Sequence, residues 1–244
     1  MDDFCKICDP KCKYNDCICN ENFINFYDTY NELQNITERE TFNLIKTWSI
    51  STMTVCCNFN SSIDLKEYID IYCSEITGKT FYNCINTYTG VKYQSKNRVS
   101  VKIFSNGNIQ LAGVLNVMAA CYAIRKIYRR LYNIKGFITE SFISNVRICM
   151  INSDFKINKN IKQANVCKFL EYKKIESVKS YSFNPSKYPG INIKFLNPYS
   201  EKIITCAMFR PGSIIITGGN NINSYKFVLN EIFNLLEKNN DFLY

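Results

Sequence analysis

Apolar and polar positions along the chain change period several times, and the same order of changes occurs twice. Residues 50–57 alternate and are rich in β-branched side chains, which predicts a strand. Asp64 then stands where a helix through Tyr72 needs its cap. Residues 91–93, 99–104 and 108–113 predict strands, the last two joined by a tight turn at Asn106-Gly107. Asn116 caps a long helix to Leu131. Val117, Ala120, Ile124, Ile127 and Leu131 form its apolar stripe, with Arg125, Arg129 and Arg130 off it. The order then repeats: a strand over 142–151, a helix over 158–172, strands over 179–183, 191–195, 202–209 and 213–217. A last helix opens at Asn223 and ends near Lys238. Ahead of both copies, residues 22–47 have near-helical spacing and predict one or two short helices.

The residues match as well as the periods. Phe104-Ser105-Asn106-Gly107-Asn108-Ile109-Gln110-Leu111-Ala112-Gly113 returns as Phe209-Arg210-Pro211-Gly212-Ser213-Ile214-Ile215-Ile216-Thr217-Gly218. In the following helices Ile124, Ile127 and Leu131 answer Leu229, Ile232 and Leu236. Upstream, Tyr88-Thr89-Gly90 answers Tyr188-Pro189-Gly190. Two copies of roughly 90–100 residues are too few and too long for a solenoid. They predict a duplicated domain: an acidic, Cys-rich extension over 1–46, a first repeat over 47–137 and a second over 138–244. The fold class is α+β, each repeat a five-stranded antiparallel sheet with two helices that cover one face. The other face is left for solvent or a ligand, and function is sought there.

Composition narrows the function classes. With 244 residues, 46% hydrophobic and 14% aromatic, the chain is globular rather than disordered. No apolar run reaches the ~20 residues that span a bilayer, and no secretory leader pattern is present, so an unexported protein in a reducing compartment is expected. The 13 cysteines are scattered and odd in number, as reduced core residues would be, and the sequons at Asn35 and Asn60 then go unused. Between Ile76 and Thr139 there is no Asp or Glu but ten Lys and Arg, more than the net charge of +9. One sign over a quarter of the chain points to a polyanion or an acidic protein partner. The chain has no histidine, which excludes His-based acid–base and triad chemistry. The first repeat has no carboxylate between Glu75 and Glu140, which leaves no obvious pair to hold a catalytic metal, and no enzyme is expected. Cys5, Cys8, Cys17 and Cys19 have the thiols for a structural zinc site, with Cys12 spare; a reduced, disordered tail is the other reading.

On these residues the chain resembles the TATA-box-binding protein family. The two Phe-x-x-Gly-(x)5-Gly segments carry the likeness, together with Tyr188-Pro189-Gly190, Ile50-Ser51-Thr52-Met53 and Asp64-Leu65-Lys66, over residues 48–238. The resemblance implies a saddle with helices on the convex side. Its concave sheet lies in the DNA minor groove, wedges aromatics between base steps and bends the duplex, without a cofactor. It implies wedge pairs of Tyr88 with Phe104 and of Tyr188 with Phe209. On the groove floor it puts Trp48 and Asn145 where the family has Asn, Ala112 and Thr217 where it has Thr, and Lys102, Gln110 and Arg147 at apolar positions. Ile50, Ala207 and Ile215 keep the floor apolar. Arg98 and Lys194 are the implied phosphate contacts, and Arg125, Lys126, Arg129 and Arg130 the implied convex surface for other transcription-initiation proteins. Two functions follow. One is a non-catalytic initiation factor that binds A·T-rich double-stranded DNA in the nucleus or at a cytoplasmic site of transcription. The other is an adaptor that has lost specific DNA recognition. Rich Asn, Ile and Lys usage and the divergence resemble viral members of the family.

Overall fold

A computed structural model describes residues 21–35, 45–72, 83–90, 98–137, 143–237 and 240–244. The first helix is α1 (Glu21–Gln34), followed by β1 (Ile45–Asn58), α2 (Leu65–Tyr72), β2 (Cys84–Gly90), β3 (Arg98–Phe104), β4 (Asn108–Val114) and α3 (Val117–Leu131). The second repeat contributes β5 (Ser144–Ile157), α4 (Gln163–Tyr172), β6 (Val178–Asn184), β7 (Tyr188–Phe195), β8 (Ile204–Met208), β9 (Ser213–Gly219) and α5 (Ile222–Glu237), then a 3-10 turn at Asn240–Phe242. The described strand pairs are antiparallel, and the α+β architecture of two repeats stands.

The chain divides into two compact units, one of Met1–Tyr30 with Thr52–Cys149, the other of Asn31–Ser51 with Met150–Tyr244. The divisions fall inside β1 and β5, each 14 residues long, so the first half of either strand belongs to a different unit from its second half. In the first unit the strands run in the order β2-β3-β4-β1. Val55, Cys57, Ile85, Val99, Val101, Ile103, Ile109 and Leu111 point inward, where α3 contributes Ala120, Ile124, Ile127 and Leu131. In the second unit the order is β5-β9-β8-β7-β6. There Phe155, Ile191, Ile193, Cys206, Ile214 and Ile216 are buried, as are Tyr225, Leu229, Ile232 and Leu236 of α5.

Local chemistry sets the helix starts. Asp64 Oδ1 accepts from the amides of Lys66 (2.9 Å) and Glu67 (3.0 Å), and Asn116 Oδ1 from Ala119 (2.8 Å). The strand expected at 91–93 lies outside the described residues; β3 pairs with β4 on one side and with β2 on the other. The helix expected from 158 begins at Gln163. β5 continues to Ile157, Ile161 makes a β-bridge to Leu243, and the amides of Asn160, Ile161 and Lys162 donate to the carbonyls of Tyr244, Arg210 and Phe242. Residues 45–47, expected to be helical, open β1 instead.

Candidate nucleic-acid interface

In each unit the residues between the buried ones form rows across the opposite face of the sheet. Cys56, Gln110, Lys102 and Asn86 are successive partners in the first unit. Asp154, Ile215, Ala207 and Asn192 are the corresponding partners in the second. The neighbouring rows are Thr54, Ala112, Ser100 and Tyr88, and Asn152, Thr217, Thr205 and Lys194. Lys102, Gln110, Ala112, Ala207, Ile215 and Thr217 therefore line one face, with Ala207 itself only 6% exposed. Thr54, Cys56, Asn152 and Asp154 share these rows and were missed from sequence. The pairing of β1 with β4 and of β5 with β9 identifies them, and Trp48 and Asn145, nearer the strand starts, are not among these partners.

Phe104 and Phe209 end β3 and precede β8's turn in the same way. The amides of Gly107 and Gly212 donate to the carbonyls of Phe104 and Phe209, both at 3.0 Å. Gly107 and Gly212 have φ of +83° and +82°, and an added Cβ would collide with the carbonyl oxygens of Ser61 and Lys159. Both turns thus demand glycine, and both hold a half-exposed phenyl ring at their start. The Phe209 ring meets Tyr188 at 5.6 Å between centroids and 64° between planes. Gly190 makes room for the pair, since a Cβ there would sit 2.9 Å from Tyr188 and 3.0 Å from Phe209. The Gln163 side-chain amide donates to the carbonyls of Pro189 (2.8 Å) and Met208 (3.0 Å) and fixes the two strand ends beneath the rings. Tyr188 is 39% exposed.

Tyr88 is not the counterpart of Tyr188. The residue opposite Phe104 is Cys84, whereas Tyr88 lies opposite Ser100, at the register position that Lys194 holds in the second unit. Its exposed ring carries the Arg98 guanidinium 4.7 Å above its centroid. Counting back from the register, Tyr82 has the sequence offset of Tyr188; it lies outside the described residues. The short Tyr-x-Gly match hid this register in the sequence.

Trp48 is held against the second unit's core. Its ring packs 6.0 Å from both Phe155 and Tyr225, and its indole N–H donates to the Leu33 carbonyl at 3.1 Å. It ties Leu33 to the core aromatics Phe155 and Tyr225. Ile50 is also buried. Ser49 and Ser51, on either side of Ile50, donate their hydroxyls to Asp154, Ser49 at 3.1 Å. Asn145 and Arg147, expected on the second repeat's floor, belong to the first unit. Asn145 sits at the start of β5 with φ +52°, and its carbonyl accepts from Arg147 at 3.3 Å. Cys149 and burial push the Cys56 thiol up, and the Arg147 charge draws it down. Arg147 and Cys149 thus stand beside Cys56 as Ser49 and Ser51 stand beside Asp154.

The sequence profile described as "Transcription factor TFIID (or TATA-binding protein, TBP)" matches residues 47–134 and 154–239. The chain belongs to this family. A TATA-box-binding protein-like relative from Acanthamoeba polyphaga mimivirus is 31% identical over 167 residues, spanning 59% of this chain and 45% of the relative. The fold is similar to that of Methanococcus jannaschii TBP, with a TM-score of 0.59 at 18% identity over 79% of this chain and 99% of that one. The family so described is one of transcription factors.

Set on this TATA-binding protein fold, the described basic residues of the acid-free stretch fall on the row face and on or beside α3. Arg98 and Lys102 are exposed on the first unit's row face. Arg129 is exposed on α3, Lys126 is half-buried, and Arg130 places its guanidinium 5.8 Å over the Tyr72 ring. Arg125 is only 9% exposed, which removes it from the surface expected to meet a partner. The small residues Ala119, Cys121 and Ala123 widen the buried face of α3 beyond the apolar stripe and take Arg125 with it. Cys5, Cys8, Cys17 and Cys19 lie outside the described residues. Among the described residues no group of three or more His, Cys, Asp or Glu side chains is placed to hold a metal, and no helix is long and apolar enough to cross a membrane.

Proposed function

We propose that this chain is a transcription-initiation factor that binds the DNA minor groove with its row faces and bends the duplex by aromatic wedging. The observation that carries this reading is the Tyr188–Phe209 ring pair, partly exposed, seated on a glycine and braced from below by Gln163. A flat ring at such a strand end replaces the base stacking lost when a step opens, and the bend brings more of the face into contact. Phe104 is the wedge of the first unit. Lys102 and Gln110 donate to the acceptors of the groove floor, while Arg98 and Lys194 neutralise phosphates. On this reading the preferred duplex is mainly A·T-rich.

Asp154 favours a second reading, an adaptor with a degraded DNA face that assembles proteins through Lys126 and Arg129, because its carboxylate adds negative charge to that face. Energy transfer between dyes at the two ends of an A·T-rich duplex separates the readings. The proposed function predicts that transfer rises on binding and that a minor-groove-filling ligand competes. Absence of binding to any duplex, with capture of initiation proteins intact, supports the adaptor.

A further inference from the structure

Asp154 stands on the row face of the second unit, exposed, between Ile215 on β9 and the serines of β1. Ser49 donates to one carboxylate oxygen and Ser51 to the other, so the group has a fixed direction. Two donors leave lone pairs free on both oxygens. Its row continues with Ile215 and Ala207, which offer no polar side-chain atom, and then with Asn192 and Ser182. Lys156 and Lys194, exposed in the flanking rows, supply the positive charge that lets a carboxylate approach a polyanion.

In the minor groove an A·T pair presents only acceptors, and the guanine amino group is the one base-edge donor. A carboxylate directed at an A·T pair faces like partial charge with no proton between. Directed at guanine, it accepts a hydrogen bond. We propose that Asp154 is a specificity-determining residue that selects a G·C pair, through the guanine amino group, within the half-site under the second unit. The first unit differs at the corresponding position, where Cys56 presents a neutral thiol. Recognition is therefore asymmetric. This inference rests on the minor-groove reading above.

Inosine tests it directly, because an inosine·cytosine pair is a G·C pair without the amino group. In an A·T-rich duplex, single pairs along the site are replaced by G·C or by inosine·cytosine, and affinity for the full chain is measured by anisotropy. The expected result is one position at which G·C binds roughly ten-fold more tightly than inosine·cytosine. In Asp154→Ala that difference disappears and the all-A·T duplex is bound more tightly than by the unaltered chain. Asp154→Asn, which keeps the shape, also reduces the difference. Binding and bending with no position that separates the two pairs overturns the inference and leaves the minor-groove reading standing. Retention of the difference in Asp154→Ala overturns it too. Failure to bind any duplex removes the minor-groove reading, and the inference with it.

Discussion

Gly212 has φ +82° at a turn where an added Cβ would meet the Lys159 carbonyl, so Gly212→Ala sets a left-handed backbone against a steric collision. We expect it to lower the unfolding free energy by about 1–3 kcal/mol in urea denaturation. Gly107→Ala meets the same two obstacles and should cost a similar amount; a change within about 0.5 kcal/mol, the usual range for surface substitutions, would contradict the geometry. Trp48 separates packing from recognition. Trp48→Phe keeps a ring against Phe155 and Tyr225 but loses the hydrogen bond to Leu33, a loss of about 1 kcal/mol in stability. Because the ring faces the core, the same change should leave the order of preference among DNA duplexes unaltered in gel shifts. A changed preference would return Trp48 to the groove floor.

At the scale of the elements, period and capping made the helices legible: Asp64 and Asn116 cap where their spacing to the apolar stripes requires. The Phe-x-x-Gly turns were legible for the same reason, since chemistry and spacing coincide. Strand register was not. The side-chain period of a strand is two, so β1 could slide by two or four residues against β4 with its buried face unchanged. Only long-range pairing fixes Thr54 opposite Ala112 and Asn152 opposite Thr217. That is why alternation alone does not find Thr54, Cys56, Asn152 and Asp154 in these rows, and why a short Tyr-x-Gly match does not reveal that Tyr88 holds the register position of Lys194. The central strands also carry a pH signature. Burial raises the Cys57 thiol from its ordinary 9.0 to about 12, and Cys206 is raised by the same cause. In the unfolded chain these thiols lose protons near pH 9 while the folded chain keeps them. Stability is thus fully present below that pH and falls as pH rises toward 12. Urea midpoints at successive alkaline pH values should decline, and Cys57→Ala should lessen the decline; an unchanged decline would place its source elsewhere.

For the whole molecule the question is which basic groups meet DNA. If the row faces do, affinity should fall with salt at a log–log slope of about −0.9 per phosphate neutralised. Charge reversal at Arg98 or Lys194 should flatten that slope, whereas reversal at Arg129 should leave it nearly unchanged and weaken a protein partner. Equal flattening at all three would put DNA on the helical side. The most direct measurement compares the unaltered chain with Phe209→Ala, reading bending by energy transfer in a doubly labelled duplex and folding by thermal melting. Phe209 is half-exposed beside Tyr188, so its removal forfeits stacking on the opened base step, about 1–3 kcal/mol, and little of the core. The account predicts a duplex that is bound more weakly and bent less, with melting nearly unchanged. A large melting loss with bending intact would make Phe209 a core residue and contradict wedging by the second unit.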